Sequence, residues 1–160
     1  MRGAALGLAA GVLALDQAVK AWMHAALTQP PRAIEVAPFF NLVLVWNPGI
    51  SFGMLPGGSA LKAWGLAAFG AGVALAMGVW LWRGHHGLAG AAGLGLLIGG
   101  ALGNAVDRVR FGAVMDYADL HVAGWHWPAF NVADTGITLG VGLLLLDAFR
   151  RERGETGSRR

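Results

Sequence analysis

Among the side chains of this 160-residue chain, Asp116 and Asp134 are best suited to chemistry. Asp134 follows Asn131 and sits about one turn into an apolar run, while Asp116 lies just past another such run. A hairpin between them can bring the two carboxylates together. Two close carboxylates in a poorly solvated place do not both ionise easily, so one keeps its proton and the other can act as a base. That state suits peptide hydrolysis, in which one aspartate deprotonates water and the other hydrogen-bonds the carbonyl. A purely structural role for Asp134, as a helix cap or half of an ion pair, is the alternative at this point. Metal ligation is another, because Asp119, His121 and His126 are near Asp116 in sequence. Their spacing matches no standard zinc pattern, and there is no H-E-x-x-H.

Other polar residues interrupt apolar stretches, where ionisable groups are expensive. Asp16 and Lys20 are four apart on one helix face and are expected to brace the outer end of the first helix. Asn104, Asp107 and Arg108 close a glycine-rich stretch. Asp107 suits a helix-end ion-pair network. Arg108, with its planar fork of donors, and Asn104 are placed to touch substrate.

The elements that must hold these groups belong in a bilayer. The chain is 56% hydrophobic and 13% charged and has no cysteine, hence no disulfide or thiol chemistry. A soluble domain carries about 25% charged residues. The net charge of +3 is clustered at the chain ends and one loop, which fits membrane topology rather than nucleic-acid binding. Four stretches approach the ~20 apolar residues of a span, at about 4–23, 61–82, 88–106 and 132–149. The first is read as an uncleaved helix, since Asp16 and Lys20 fall where a cleavage region should be small and neutral. Arg2, Arg83 and a basic tail at 150–160 lie on one side; Lys20, Arg32, Lys62, Arg108 and Arg110 lie on the other. The more basic side should be cytoplasmic, with both termini there and connections 24–60 and 107–131 outside. Gly95, Gly99 and Gly103, and likewise Gly3, Gly7 and Gly11, recur at the spacing that allows close helix contact.

In the first outer connection, Phe40, Leu42, Leu44 and Trp46 alternate with Asn41, Val43, Val45 and Asn47, a strand period ending at an Asn47-Pro48-Gly49 turn. The second holds Tyr117, Trp125, Trp127 and Phe130, suited to anchoring at the interface or to a lid. The expected fold is an all-α integral membrane protein of one domain. It has four transmembrane helices, a small interfacial β-sheet and an extracytoplasmic hairpin or short helix.

Five segments, in order, resemble the lipoprotein signal peptidase (signal peptidase II) family. Asp16-Gln17-Ala18-Val19-Lys20 is similar to its D-x-x-x-K, and Asn47-Pro48-Gly49-Ile50-Ser51-Phe52-Gly53 to its N-x-G-x-[AS]-F-G. The stretch from Gly99 to Arg108 is similar to G-G-A-x-G-N-x-x-D-R. Gly112 to Tyr117 is similar to G-x-V-x-D-[FY], and Phe130 to Asp134 to F-N-x-A-D. The stretch Asp119 to Trp127 matches no family pattern. The resemblance implies an aspartyl endopeptidase of the bacterial inner membrane, working at the outer leaflet boundary. It would cut diacylglyceryl prolipoproteins before the lipidated cysteine, without metal or cofactor, and be sensitive to globomycin. It gives Asp116 and Asp134 the catalytic role. It sets Asn47, Gly49, Asn104, Arg108 and Asn131 around the substrate, with Asp16, Lys20 and Asp107 in support. Membrane lipids are the other expected partners, and a monomer the expected state. The rivals are a proton-coupled transporter using the intramembrane acids, a metal-dependent headgroup transferase and a non-catalytic scaffold.

Overall fold

The computed structural model describes residues 1–49 and 59–157, so the Ile50–Gly53 part of the second motif lies outside the described residues. Eight elements follow in order: α1 (Arg2–Thr28), β1 (Ile34–Ala37), β2 (Phe40–Asn47), α2 (Ala60–Arg83), α3 (Leu88–Phe111), β3 (Val114–Val122), β4 (Trp125–His126) and α4 (Val132–Gly157). All four helices are long and apolar enough to cross a membrane. A helix of 24 residues, the length of α3, rises about 36 Å against a hydrocarbon core of about 30 Å. The ends of α1 and α3 run past the expected limits, to Thr28 and Phe111, and carry their polar residues above the apolar core. The helix of α4 continues through the start of the basic tail to Gly157.

The bundle is built around α3. In its most apolar window 72% of residues are buried, against 28%, 17% and 17% in α1, α2 and α4. Glycines of α3 let two of its neighbours, α1 and α4, come close. A Cβ at Gly95 would lie 2.5 Å from the Ala5 carbonyl oxygen, one at Gly99 2.6 Å from that of Ala9, and one at Gly103 2.7 Å from Asp16 Oδ2. This is the expected ridge, and it receives α1. A second ridge that the four-residue spacing did not reveal receives α4: a Cβ at Gly93 would meet the Gly140 carbonyl, and one at Gly100 the Ala133 carbonyl.

The glycine ridge expected on α1 is not a contact. Cβ atoms at Gly3, Gly7 and Gly11 would meet nothing within 4 Å. The packed face is Ala5, Ala9, Val12, Asp16, Lys20, Met23 and Leu27. At about 100° per residue the glycines fall far around the helix from Asp16. Burying Asp16 and Lys20 fixes the face, so the glycines turn outward.

Gly100→Ala is therefore expected to destabilise the protein by about 1–3 kcal/mol, because the added methyl meets backbone that cannot rotate away. Gly7→Ala should be neutral. Thermal unfolding in detergent compares the two; an unchanged Gly100→Ala would mean that α4 is free to shift.

At one end of the bundle the strands form an antiparallel sheet in the order β1-β2-β3-β4. Gly112, at φ 74, ends α3 in the left-handed conformation open to glycine and turns the chain into β3. Phe40, Leu42 and Leu44 pack with Met115, Tyr117 and Ala118 over Met23 and Leu27 of α1, as the alternation predicts. The connection between α3 and α4 contains a hairpin of β3 and β4. Its two-residue turn, Ala123 at φ 50 and Gly124 at φ 82, suits the twist of the strands.

Candidate active site

Asp134 is held by the start of its own helix. Asn131 precedes α4, and its Oδ1 accepts from the Asp134 N–H at 2.9 Å, while Asp134 Oδ2 accepts from the Asn131 N–H at 3.2 Å. The two residues satisfy each other's backbone donors, an aspartate version of a capping box. The next donor, the Ala133 N–H, goes to Asp16 Oδ1 of α1 at 2.9 Å, and the Tyr117 hydroxyl of β3 is bonded to the Val132 backbone. Two other elements, α1 and β3, thus pin the first turn of α4. The remaining Asp134 oxygen, Oδ1, accepts from Asn104 Nδ2 of α3 at 2.8 Å.

Asp116 comes from β3. Phe130 pairs with that strand, donating to the Ala118 carbonyl at 3.1 Å and accepting from the Ala118 N–H at 2.9 Å. The pairing sets Asn131 beside Asp116, and Asn131 Nδ2 donates to Asp116 Oδ1 at 2.7 Å. Asn47 Nδ2 donates to the other oxygen at 3.2 Å. One asparagine therefore touches both aspartates: its amide nitrogen serves Asp116, and its amide oxygen accepts from the Asp134 backbone. Burial and then the Asp134 charge push Asp116 up to about 7, against the smaller opposing pull of its asparagine partners.

The other expected residues gather around this pair. Gly49 closes on the Asn47 side chain, its N–H donating to Asn47 Oδ1 at 3.0 Å. Arg108 spends its fork on backbone rather than on a carboxylate: Nη2 donates to the Gly49 carbonyl at 3.0 Å and Nη1 to that of Asn104 at 3.1 Å. Its Nε is buried and has no partner among the described residues. Lys20 lies 2.8 Å from both Asp16 Oδ2 and Asp107 Oδ2, and also donates to Asn104 Oδ1 at 3.2 Å. Asp16 and Lys20 thus do more than brace α1; they reach α3 and α4. Asp107 in turn accepts from the Met115 N–H at 3.1 Å, which fixes the start of β3.

Two participants were not visible from spacing. Gln17 donates to Asp107 Oδ1 at 2.9 Å and to Asp16 Oδ2 at 3.2 Å. An uncharged amide within an apolar run was the available signal. Tyr117, suited by sequence to anchoring at the interface or to a lid, ties β3 to α4. Burial, then the charge of Asp16, pushes its hydroxyl up to about 12, so it stays protonated.

The hairpin residues form a separate cluster. His126 Nδ1 lies 2.8 Å from Asp119 Oδ1, and the His121 and His126 rings stack at 5.0 Å. Burial alone would raise Asp119, but hydrogen bonds from His126 and Asn41 bring it below the usual carboxylate range. Among the described residues no three His, Asp or Glu side chains converge as a metal site.

Asp134 lies between two largely apolar cavities. One, of about 380 Å³, is floored by α3 between α2 and α4, and its lining includes Leu66, Phe69, Asn104, Arg108 and Ile137. The other, of about 340 Å³, lies between the hairpin and α4 and includes Leu120, Trp127, Phe130 and Leu139. Asp147, the remaining acid of the spans, is at the opposite end beside Gly87 and Gly90.

Residues 8–150 match the family described as Signal peptidase (SPase) II. The chain is 44% identical over 163 residues to the lipoprotein signal peptidase of Methylobacterium sp. (strain 4-46), covering 99% of this chain and 98% of that protein. It is 40% identical over 154 residues to that of Burkholderia thailandensis, covering 93% and 89%. In three dimensions it is similar to a bacterial membrane enzyme solved by the in meso method at 2.3 Å, with a TM-score of 0.78 and 29% identity over 92% of this chain and 88% of that one. These likenesses give no support to a transporter. This multi-pass membrane protein belongs to the signal peptidase II family of proteases.

Proposed function

We propose that this chain is an aspartyl endopeptidase that removes signal peptides from diacylglyceryl-modified prolipoproteins, cutting just before the lipidated cysteine. The observation that carries the reading is the sharing of Asn131 by Asp116 and Asp134. It holds two carboxyl groups in fixed relation at the sheet end of the bundle. The raised pKa of Asp116 supports it as the holder of the shared proton. Asp134, held by Asn104 and the Asn131 N–H, is then the base.

In the cleavage step Asp134 takes a proton from water as its oxygen attacks the scissile carbonyl carbon. Asp116 donates a hydrogen bond to the carbonyl oxygen and supports the charge that develops there. When the tetrahedral intermediate collapses, the C–N bond breaks and the proton passes to the departing cysteine nitrogen. Asn47, Asn104 and Asn131 keep the carboxyl oxygens oriented. Arg108, whose Nε has no partner among the described residues and which lines the α2–α4 cavity, would hold a substrate carbonyl.

The two cavities suit a substrate with a membrane helix and two acyl chains, one on each side of Asp134. The Lys and Arg distribution supports a sheet end outside the cytoplasm, with both termini inside. All the named groups come from one chain, which supports a monomer as the working state.

Purified protein in detergent is expected to cleave a diacylglyceryl prolipoprotein, to leave the unlipidated precursor largely intact, and to keep its activity in EDTA. Failure to process the lipidated precursor, or loss of processing to the chelator, would overturn the reading. The rate should fall as pH rises through about 7, tenfold per pH unit beyond it, because Asp116 then loses the proton that the pair needs. A rate flat from pH 6 to 9 would remove Asp116 from that role.

A further inference from the structure

The sheet end of the bundle has a third cavity, enclosed by α1, β2 and α3. It has a volume of about 230 Å³, and its lining includes Gln17, His24, Trp46, Arg110 and Phe111. None of these five has a part in the cleavage step. Its floor is electrically settled. Lys20 is matched by Asp16 and Asp107, and the Asp107 oxygens are taken by Gln17, Lys20 and the Met115 N–H.

The rim is different. Arg110 is held loosely, by a 3.4 Å hydrogen bond to Gln17 Oε1, with its guanidinium 5.0 Å from the Phe111 ring centre. Its remaining donors form a permanent cationic face, since guanidinium does not lose its proton in proteins. His24 adds an imidazole, its ring 6.3 Å from that of Trp46. Beside them the Trp46 and Phe111 rings lie 5.3 Å apart and are 38% and 53% exposed. The cavity thus offers charged and hydrogen-bonding groups beside aromatic walls.

Depth narrows the occupant. Counting about 30 Å of hydrocarbon from Leu88 along α3 reaches roughly the turn that begins at Asp107. Arg110 and Phe111 therefore stand at headgroup level. A permanent anion at that depth, attached to apolar chains below it, is the phosphodiester of a phospholipid. Arg–phosphate pairing is strong and geometrically specific.

We propose that the α1–β2–α3 cavity binds one phospholipid, its phosphodiester on Arg110 and His24 and its glycerol and upper acyl chain against Trp46 and Phe111. The site is separate from the aspartate pair. It borders the catalytic strand, because Trp46 pairs with Met115 and precedes Asn47, the partner of Asp116. A bound lipid braces that strand from the membrane side.

The test is native mass spectrometry of the full chain in detergent with three probes. They are phosphatidylglycerol, dioleoylglycerol (acyl chains without phosphate) and glycerophosphoglycerol (headgroup without chains). One phosphatidylglycerol should be retained in preference to either control. Arg110→Gln should weaken that retention about tenfold or more, as expected for losing hydrogen bonds to a charged group, and Arg110→Lys should recover part of it. Prolipoprotein cleavage in detergent should be unchanged in Arg110→Gln, which also shows that the variant folds. Equal retention of dioleoylglycerol, or wild-type retention by Arg110→Gln, would refute the site. Equal retention of the soluble headgroup would assign the cavity to a free phosphodiester and overturn the lipid reading.

Discussion

Asp116→Asn and Asp134→Asn are each expected to slow prolipoprotein cleavage by about 10³-fold or more, because each removes a group proposed to handle the proton in the transition state. The same changes should leave the fold intact. An asparagine at 134 keeps an oxygen for the Asn131 N–H, and one at 116 keeps an oxygen for Asn131 Nδ2. Asp116→Asn should go further and stabilise the protein at alkaline pH. With its pKa raised from 3.8 to about 7, the folded chain binds more protons at this residue than the unfolded chain does between those values. Stability therefore falls as pH rises through that window and is lowest, as far as this group is concerned, above it. Removing the ionisable group should recover up to about 4 kcal/mol at pH 8, and little at pH 4. Cleavage rates and detergent melting curves at the two pH values check both halves. Near-normal cleavage by either variant would show that the pair is not the catalytic centre.

The second large effect belongs to Lys20. It is the cation between two fully buried carboxylates, Asp16 and Asp107, which are 0% and 1% exposed. Lys20→Met keeps most of the volume and removes the charge. The two acids then face each other without compensation, which typically costs about 3–5 kcal/mol. The damage should also reach the active site, since Asp16 pins α4 through the Ala133 N–H, Asp107 pins β3 through the Met115 N–H, and Asn104 loses a donor. Lower melting temperature together with reduced cleavage is the expected result. If Lys20→Met melts like the wild type, the network is not what holds the sheet to the bundle.

How much of this was legible in the sequence depended on how local each signal was. The β2 strand is readable because alternation from Phe40 to Asn47 reports a half-buried strand directly. Asn131 and Asp134 are readable as a helix start because capping acts over three residues. The glycines of α1 misled because four-residue spacing says that a face is narrow and not which way it points. The direction came from burying Asp16, a fact about the whole bundle. The Gly93 and Gly100 ridge was missed for a related reason: one helix can present two small-residue faces, and only its neighbours show that both are used. Gln17 and Tyr117 act on groups 90 and 15 positions away, Asp107 and the Val132 backbone, and no short-range pattern encodes such partners. Arg108 was expected to touch substrate, and its two terminal nitrogens instead hold the backbone carbonyls of Gly49 and Asn104, one of them 59 positions away.

The triple duty of Asn131 has a consequence for how such a protein can vary. Its side chain holds Asp116, its amide oxygen and backbone N–H cap α4, and its amide nitrogen also reaches Asn104 Oδ1 at 3.3 Å. A change there would alter both aspartates and the helix start at once, with no single compensating substitution able to repair all three. The groove walls carry no such burden. Leu66, Phe69, Trp127 and Leu139 line the cavities beside Asp134 and belong to none of the hydrogen bonds that hold the pair. Preference among clients can drift through the walls while the chemistry stays locked, so the architecture separates what is free to diversify from what is not.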